Sequence, residues 1–154
     1  MNAMSIYSIG YQRLTTDHLM LAVQTLGIDV VLDVRTSPHS RVKGFGGRQL
    51  ATLLGERYEA RGADLGGLGP GPTEAGISSL RSEARAVLLL CLEELPWHCH
   101  RHLTIASRLL PSVDVQHLVY VGDDLHVISA SAVEELSAAE DRGETVDAVL
   151  DPIC

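Results

Sequence analysis

Two continuous apolar segments constrain the fold of this chain most strongly: IDVVLDV at residues 28–34 and AVLLLCL at residues 86–92. Strands this uniformly apolar are expected where a sheet is covered on both faces, as in a parallel sheet flanked by helices. Segments with a helical spacing of apolar residues precede and follow both runs. We therefore predict an α/β fold with an open, mainly parallel sheet flanked by helices, as in Rossmann-like proteins.

The rest of the chain alternates in the same way between short apolar segments and helical spacing. Loops are predicted over residues 35–47, which contain one proline and three glycines, and over the Gly/Pro-rich residues 62–72. VQHLVYV and LHVIS flank a turn at residues 122–124 and indicate a possible C-terminal hairpin. The predicted first strand covers residues 5–9, and the predicted helices cover residues 16–26, 48–60, 73–84, 99–110 and, within an acidic C-terminal helix at 129–151, residues 130–142.

Chain length and composition indicate one domain over residues 1–154. With 154 residues, 45% of them apolar, the chain can bury one ordinary core, and no linker-like segment divides it. No apolar run approaches the roughly 18 residues that span a bilayer, and the N-terminus lacks a secretory signal pattern. Three cysteines fit reduced thiols better than a disulfide framework. We expect a cytoplasmic protein with no membrane partner.

Charge is distributed unevenly along the chain, which carries a formal net charge of −8. Residues 122–151 contain nine acidic groups and one basic group, so residues 1–121 are neutral. Within the neutral part, residues 34–61 contain six basic and two acidic side chains. This local positive charge favours a small anionic ligand, whereas the acidic region, predicted as a helix over residues 129–151, would repel a long polyanion. Nucleic acid is therefore a possible partner but not the favoured one.

Candidate ligand-binding residues follow the first two predicted strands. They are Gly10 and Tyr11 after the first strand, and Arg35, Ser40 and Arg41 after the second. In an open parallel sheet, ligands bind beyond the carboxyl ends of the strands, where the loops gather. Two guanidinium groups with hydroxyl donors are typical of a phosphate or carboxylate clamp. The alternative is that Arg35 pairs with Asp33 and only holds the turn.

A second set of candidates lies in the stretch CLEELPWHCHR, after the third apolar strand. If a helix begins near Cys99, its first turn contains Cys99, His100 and Arg101, where unpaired amides favour negative charge. A thiol beside a cation at such a position has a lowered pKa. Cys99 is therefore the candidate nucleophile, His100 a candidate catalytic partner and Arg101 a candidate anion ligand. Glu93 can act as general acid or base, and Cys91 is expected to be a small buried residue.

A metal site is the alternative interpretation of the same stretch. Its cysteines and histidines are suitable ligands, but C-x7-C followed directly by histidine lacks the C-x2-C and H-x3-H spacings of familiar zinc sites. His98 and His102 are expected at the surface, and His117 is expected to be a satisfied structural histidine. We therefore predict no metal and no cofactor from the sequence.

A series of motifs occurs along the chain in one order. They are SIGY (8–11), DVRTSPHSR (33–41), Phe45, Tyr58, LGG (65–67), LLLCLEELPWHCHR (88–101) and VQHL (115–118). In these motifs residues 5–128 resemble the bacterial and archaeal family called domain of unknown function 488. The matching motif residues are Gly10, Asp33, Arg35, Pro38, Ser40, Arg41, Cys91, Glu93, Cys99, His100 and Arg101. The resemblance implies a single α/β domain but no demonstrated reaction.

The chain departs from the family pattern at two places. Tyr11-Gln12 stands where many members have His-Ser, and the segment between LGG and the third apolar strand is shorter. The first departure leaves the role of that loop open, and the second suggests a more open pocket or a loop supplied by a partner chain.

The favoured hypothesis is an enzyme that binds a small anionic substrate, phosphate-like or nucleotide-like, between Arg35, Arg41 and Arg101. Cys99 or Glu93 would perform the chemistry. Two alternatives stay open: a non-catalytic regulatory module that binds an anion or nucleic acid in the same crevice, and a Cys/His metal-binding protein. The substrate and the oligomeric state cannot be deduced from the sequence.

Overall fold

The structure is a computed structural model that describes residues 5–142 and 151–152. Within these residues, seven strands form one sheet in the order β3-β2-β4-β1-β5-β6-β7. The strands are β1 (Ile6–Gly10), β2 (Val30–Asp33), β3 (Tyr58–Ala60), β4 (Val87–Cys91), β5 (Gln116–Val121), β6 (Asp124–Ser129) and β7 (Asp151–Pro152). Strands β1 to β5 pair in parallel, and β5, β6 and β7 pair antiparallel. The predicted α/β class, the open and mainly parallel sheet and the C-terminal hairpin are confirmed.

The helices lie between the strands. They are α1 (Thr16–Leu26), α2 (Gly47–Leu54), α3 (Gly62–Leu65), α4 (Glu74–Arg81), α5 (Ser107–Leu109) and α6 (Ala130–Asp141), and α5 continues a π-helical segment, Arg101–Ala106. The residues predicted to cap the two ends of α1 do so in the structure. The Thr15 hydroxyl accepts a hydrogen bond from the His18 amide, and Gly27 ends the helix in the left-handed region, at φ 63°. None of the described helices is long and apolar enough to cross a membrane.

Helices cover both faces of the sheet. On one face, α1 and α2 contribute Leu19 and Leu50 to a core. On the other face, α3, α4 and the π-helical segment contribute Leu65, Ile77 and Ile105 to a second core. The connections from β1 to β3 and those from β3 to β5 cross the sheet in opposite directions, so right-handed crossovers place their helices on opposite faces. Because β1 to β5 pair in parallel, their carboxyl ends all lie on the same side of the sheet.

The structure corrects the predicted bounds in four places, and the first is the predicted loop at 62–72, where Gly62–Leu65 form the helix α3. The helix predicted over residues 48–60 ends at Leu54, because Gly55 adopts φ 59°, and Tyr58–Ala60 then joins the sheet as the edge strand β3. The first turns of the helix predicted from Cys99 are π-helical and begin at Arg101. The acidic helix predicted to reach residue 151 ends at Asp141, and residues 151–152 pair with β6 instead. Residues 143–150 and the C-terminal cysteine lie outside the described residues.

Candidate functional site

The carboxyl ends of β2, β4 and β1 lie side by side and open into one pocket of about 380 Å³. The residues predicted from the sequence that line this pocket are Tyr11, Arg35, Glu93, Cys99 and His100. Ser40 and Arg41 line an adjoining hollow, which shares Tyr11 and His39 with the pocket. Gly10 and Arg101 line neither. The loops thus converge where the parallel-sheet rule places them.

Three ligand-type side chains meet in the wall of this pocket, and we call them the sulfur–histidine cluster: Cys91, Cys99 and His100. Their sulfur and nitrogen atoms all lie within 4.8 Å of one another. His100 Nδ1 is 3.5 Å from Cys91 Sγ and 4.0 Å from Cys99 Sγ. The two cysteines come from different places, since Cys91 ends β4 and Cys99 lies just before the π-helical segment. Cys91 is therefore part of the site and not only the packing residue that the sequence suggested.

The orientation of the His100 ring is fixed from two sides. Its Nε2–H donates to the Val34 carbonyl at 2.9 Å. Gly67 packs against the ring, and a Cβ at this position would lie 2.5 Å from His100 Cγ. Because Nε2 is the donor to Val34, Nδ1 is the ring nitrogen that faces the two sulfur atoms. Gly67 of the LGG motif thus has a direct steric role at the site.

The two thiols of the cluster have opposite pKa shifts. The hydrogen bond with Cys91 lowers the pKa of Cys99; burial opposes this shift, while His100 and the Arg101 charge add to it. The pKa of Cys91 is raised by the same hydrogen bond and then by burial. The pair therefore favours one thiolate, on Cys99, with the remaining proton on Cys91. The direction of the Cys99 pKa shift is the expected one, but its leading cause is Cys91 and not a helix N-terminus.

Arg101 lies behind the cluster and is fully buried, with 0% of its surface exposed. Its Nε–H donates to the Ser8 hydroxyl at 2.9 Å, and its terminal N–H groups donate to the carbonyls of Glu93 (2.5 Å) and Glu94 (3.1 Å). Gly10 lets this loop approach, because a Cβ at residue 10 would lie 1.6 Å from the Glu93 carbonyl oxygen. Arg101 thus holds the loop between the two cysteines, and its expected role as an anion ligand finds no support in this placement.

Arg35 lines the pocket, but most of its donors are already used. Its guanidinium makes a two-pronged ion pair with Asp33, at 2.7 and 2.6 Å. A third nitrogen donates to the Tyr11 hydroxyl (3.0 Å) and to the Phe45 carbonyl (2.6 Å). Of the five N–H donors of an arginine, one is left for a ligand. The structure therefore favours the turn-holding alternative for Arg35.

A second polar cluster, which we call the histidine chain, runs from Arg101 toward the surface through Ser8, His117, His102 and Glu134. The Ser8 hydroxyl is hydrogen-bonded to His117 Nδ1, His117 Nε2 lies 3.0 Å from His102 Nδ1, and His102 Nε2 lies 3.1 Å from the Glu134 carboxylate. A carboxylate only accepts, so His102 and His117 donate from Nε2 and Ser8 donates to His117. Every donor then meets an acceptor.

The histidines of this chain are buried and neutral. His117 is 0% exposed and His102 only 2% exposed, so the surface position predicted for His102 is wrong. Burial lowers the pKa of His117 well below its ordinary value, and the Arg101 charge lowers it further. Burial also lowers the pKa of His102, although the Glu134 carboxylate opposes this shift.

Among the described residues, Cys91, Cys99 and His100 are also the group best placed to hold a metal ion. Comparisons of the chain with protein-family models, with curated proteins and with solved structures found no match. The resemblance to the domain of unknown function 488 family therefore stays a prediction from its motifs.

Proposed function

We propose that the protein is an enzyme that binds a small molecule in the pocket and transforms it at the sulfur–histidine cluster. The observation that carries this proposal is a single pocket lined by Cys91, Cys99, His100 and Glu93. Its volume of about 380 Å³ is within the range of small-molecule sites. Metal-binding or nucleophilic groups next to an acid–base group in one pocket are the usual composition of an active site.

We place the anionic group of the substrate at the rim of the pocket. Arg101 is buried behind the cluster, and Arg35 has one free donor. Arg41 is exposed, and in the described part of the chain it has no hydrogen bond or ion pair; it lines the adjoining hollow together with Ser40 and His39. A guanidinium with all its donors free can bind a phosphate or carboxylate. The reacting part of the molecule would then extend toward the cluster.

Binding of small anions tests this proposal. The probes are inorganic phosphate, glycerol 3-phosphate, adenosine monophosphate and neutral glycerol, each followed by chemical-shift changes in two-dimensional NMR spectra. We expect at least one phosphorylated probe to shift residues of the pocket and glycerol to shift none. Arg41→Ala should weaken binding about 10-fold or more, because a hydrogen bond to a charged group contributes about 1.5–3 kcal/mol. Lys43→Ala is the matched control, since Lys43 is exposed in the same loop and lines neither hollow.

Conversion of the bound probe separates an enzyme from a binding module. We expect the wild-type protein to convert a bound compound over time, and Glu93→Gln to slow conversion while binding is retained. Binding without conversion would favour the non-catalytic alternative. Equal binding by the Arg41 and Lys43 variants would contradict the placement of the anion at the rim.

A further inference from the structure

We infer that Cys91 Sγ, Cys99 Sγ and His100 Nδ1 bind one zinc ion, whose fourth position is open to the pocket. The inference deepens the proposed function. The role of the ion in the reaction rests on that function, but the binding of the ion does not. Whether the ion binds is a separate question with its own measurement.

The distances between the ligand atoms fit a tetrahedral zinc ion. Bond lengths of about 2.3 Å to sulfur and 2.05 Å to nitrogen place a sulfur and a nitrogen about 3.6 Å apart in a tetrahedral site. The corresponding separations from His100 Nδ1 are 3.5 Å to Cys91 Sγ and 4.0 Å to Cys99 Sγ. All three atoms lie within 4.8 Å of one another. The ion thus needs only small side-chain movements to bind.

The surroundings of His100 prepare it as a ligand. A metal-binding histidine usually donates its other N–H to a carbonyl or carboxylate, which fixes the ring and keeps the ligating nitrogen unprotonated. His100 does this by donating from Nε2 to the Val34 carbonyl at 2.9 Å. Gly67 supports the same ring from the other side. With Nε2 as the donor to Val34, Nδ1 is the ring nitrogen that faces the two sulfurs and can ligate the ion.

Charge and access also fit a zinc ion. Two thiolates and a neutral imidazole cancel the double positive charge of the ion, so the centre can be buried without a large net charge. Cys91 and Cys99 are only 7% and 2% exposed, which suits ligands better than freely accessible nucleophiles. The sequence pattern C-x7-C-H does not resemble a familiar zinc motif. The reason is that the loop from Leu92 to His98, and not a short turn, brings the two cysteines together.

Three protein ligands with one open position are characteristic of catalytic zinc sites, whereas structural sites are closed by four. The cluster lines the pocket, so water or a substrate oxygen can occupy the fourth position. An ion held there lowers the pKa of bound water or polarises a substrate oxygen. Under this inference Cys99 is a ligand rather than the attacking group, and the substrate class is one whose bond is broken by water.

Metal content and cobalt spectroscopy test the inference. The full chain is purified without a histidine tag or chelator, and its zinc content is measured by mass spectrometry. Cobalt is then substituted for zinc, since tetrahedral Co²⁺ gives intense visible bands and thiolate ligands add near-ultraviolet charge-transfer bands. We expect one ion per chain, with the charge transfer of two thiolates.

Single-ligand variants and matched controls locate the ion. Cys91→Ser and Cys99→Ser should each remove about half of the charge-transfer intensity, and His100→Ala should remove most ion binding. Cys154→Ser, which changes the third cysteine of the sequence, and His98→Ala, two residues from His100, should keep one ion and the full spectrum. Circular dichroism checks that each variant is folded, and the wild-type spectrum is informative even if a ligand variant is not.

Two results overturn the inference. One is a wild-type protein that binds no zinc or cobalt after loading and dialysis, together with rapid alkylation of Cys99 by iodoacetamide, which would restore Cys99 as a nucleophile. The other is a spectrum unchanged by the ligand variants. In either case, binding of the phosphorylated probes in the pocket would still support the proposed function. Conversely, a protein that binds the zinc ion but neither binds nor converts any probe would contradict the proposed function and not the zinc inference.

Discussion

The sulfur–histidine cluster and the histidine chain are both buried polar groups beside Arg101, but their hydrogen bonding differs. In the histidine chain each donor meets one acceptor, from the Arg101 N–H to the Glu134 carboxylate. In the sulfur–histidine cluster, two sulfurs and one imidazole nitrogen converge beside a pocket, all within 4.8 Å of one another. A fully matched network rigidifies a core, whereas convergent lone pairs require protons or a cation. The difference therefore separates a satisfied hydrogen-bond network from the cluster for which we propose a function.

Removal of the inferred zinc ion is expected to have the largest effect and tests the difference between the two clusters most directly. With free zinc at 1,000 times its dissociation constant, binding stabilises the folded protein by about 4 kcal/mol. We expect urea unfolding to show this difference between zinc-loaded and chelator-treated wild-type protein. Cys99→Ser should show almost none of it. Identical wild-type curves with zinc and with chelator would mean that the convergent lone pairs are satisfied by protons.

Arg101 joins the two clusters, and its replacement should damage both. Arg101→Met leaves the Ser8 hydroxyl and the Glu93 and Glu94 carbonyls without their buried donor, at a total cost of about 3 kcal/mol or more. We expect a large shift of the urea midpoint. The control is Arg13→Met, which removes an exposed ion pair with Glu94 and should cost less than about 1 kcal/mol. Similar midpoints for the two variants would contradict the joining role of Arg101.

The fold was largely predictable, because continuous apolar strands such as β4 and end signals such as Gly27 are local. The edge strand β3 was not, because three residues, Tyr58–Ala60, become a strand only by pairing with β2. Convergence of the loops at one edge also followed from the parallel sheet. What could not be predicted is which polar groups are already satisfied. Arg101 donates mainly to backbone carbonyls, and nothing in the sequence marks them as acceptors.

Replacing His117, in the middle of the histidine chain, should lower the free energy of unfolding without affecting zinc binding. His117→Leu leaves the Ser8 O–H without its acceptor and His102 Nδ1 without its donor, which costs about 2 kcal/mol. We expect a lower urea midpoint but one zinc ion per chain and an unchanged cobalt spectrum. Loss of the ion in this folded variant would show that the chain also positions the metal ligands, and the two clusters would then be one functional unit.

The smallest expected effect is the pH dependence of stability that His117 contributes. Its folded-state pKa is lowered well below the ordinary value, mainly by burial, so it stays neutral in the folded protein while the unfolded chain takes up a proton below about pH 6.5. The unfolded state then binds more protons, and stability falls as the pH falls. Between pH 7.5 and pH 5.5 the loss is about 1.4 kcal/mol for one such histidine.

Urea unfolding of wild type and His117→Leu at these two pH values isolates this contribution, because other titrating groups are common to both proteins. We expect the wild type to lose more stability than the variant by about that amount. Equal losses would mean that His117 titrates normally in the folded state. That result would be incompatible with a chain in which His117 accepts from Ser8 and donates to His102, since a protonated ring has no acceptor.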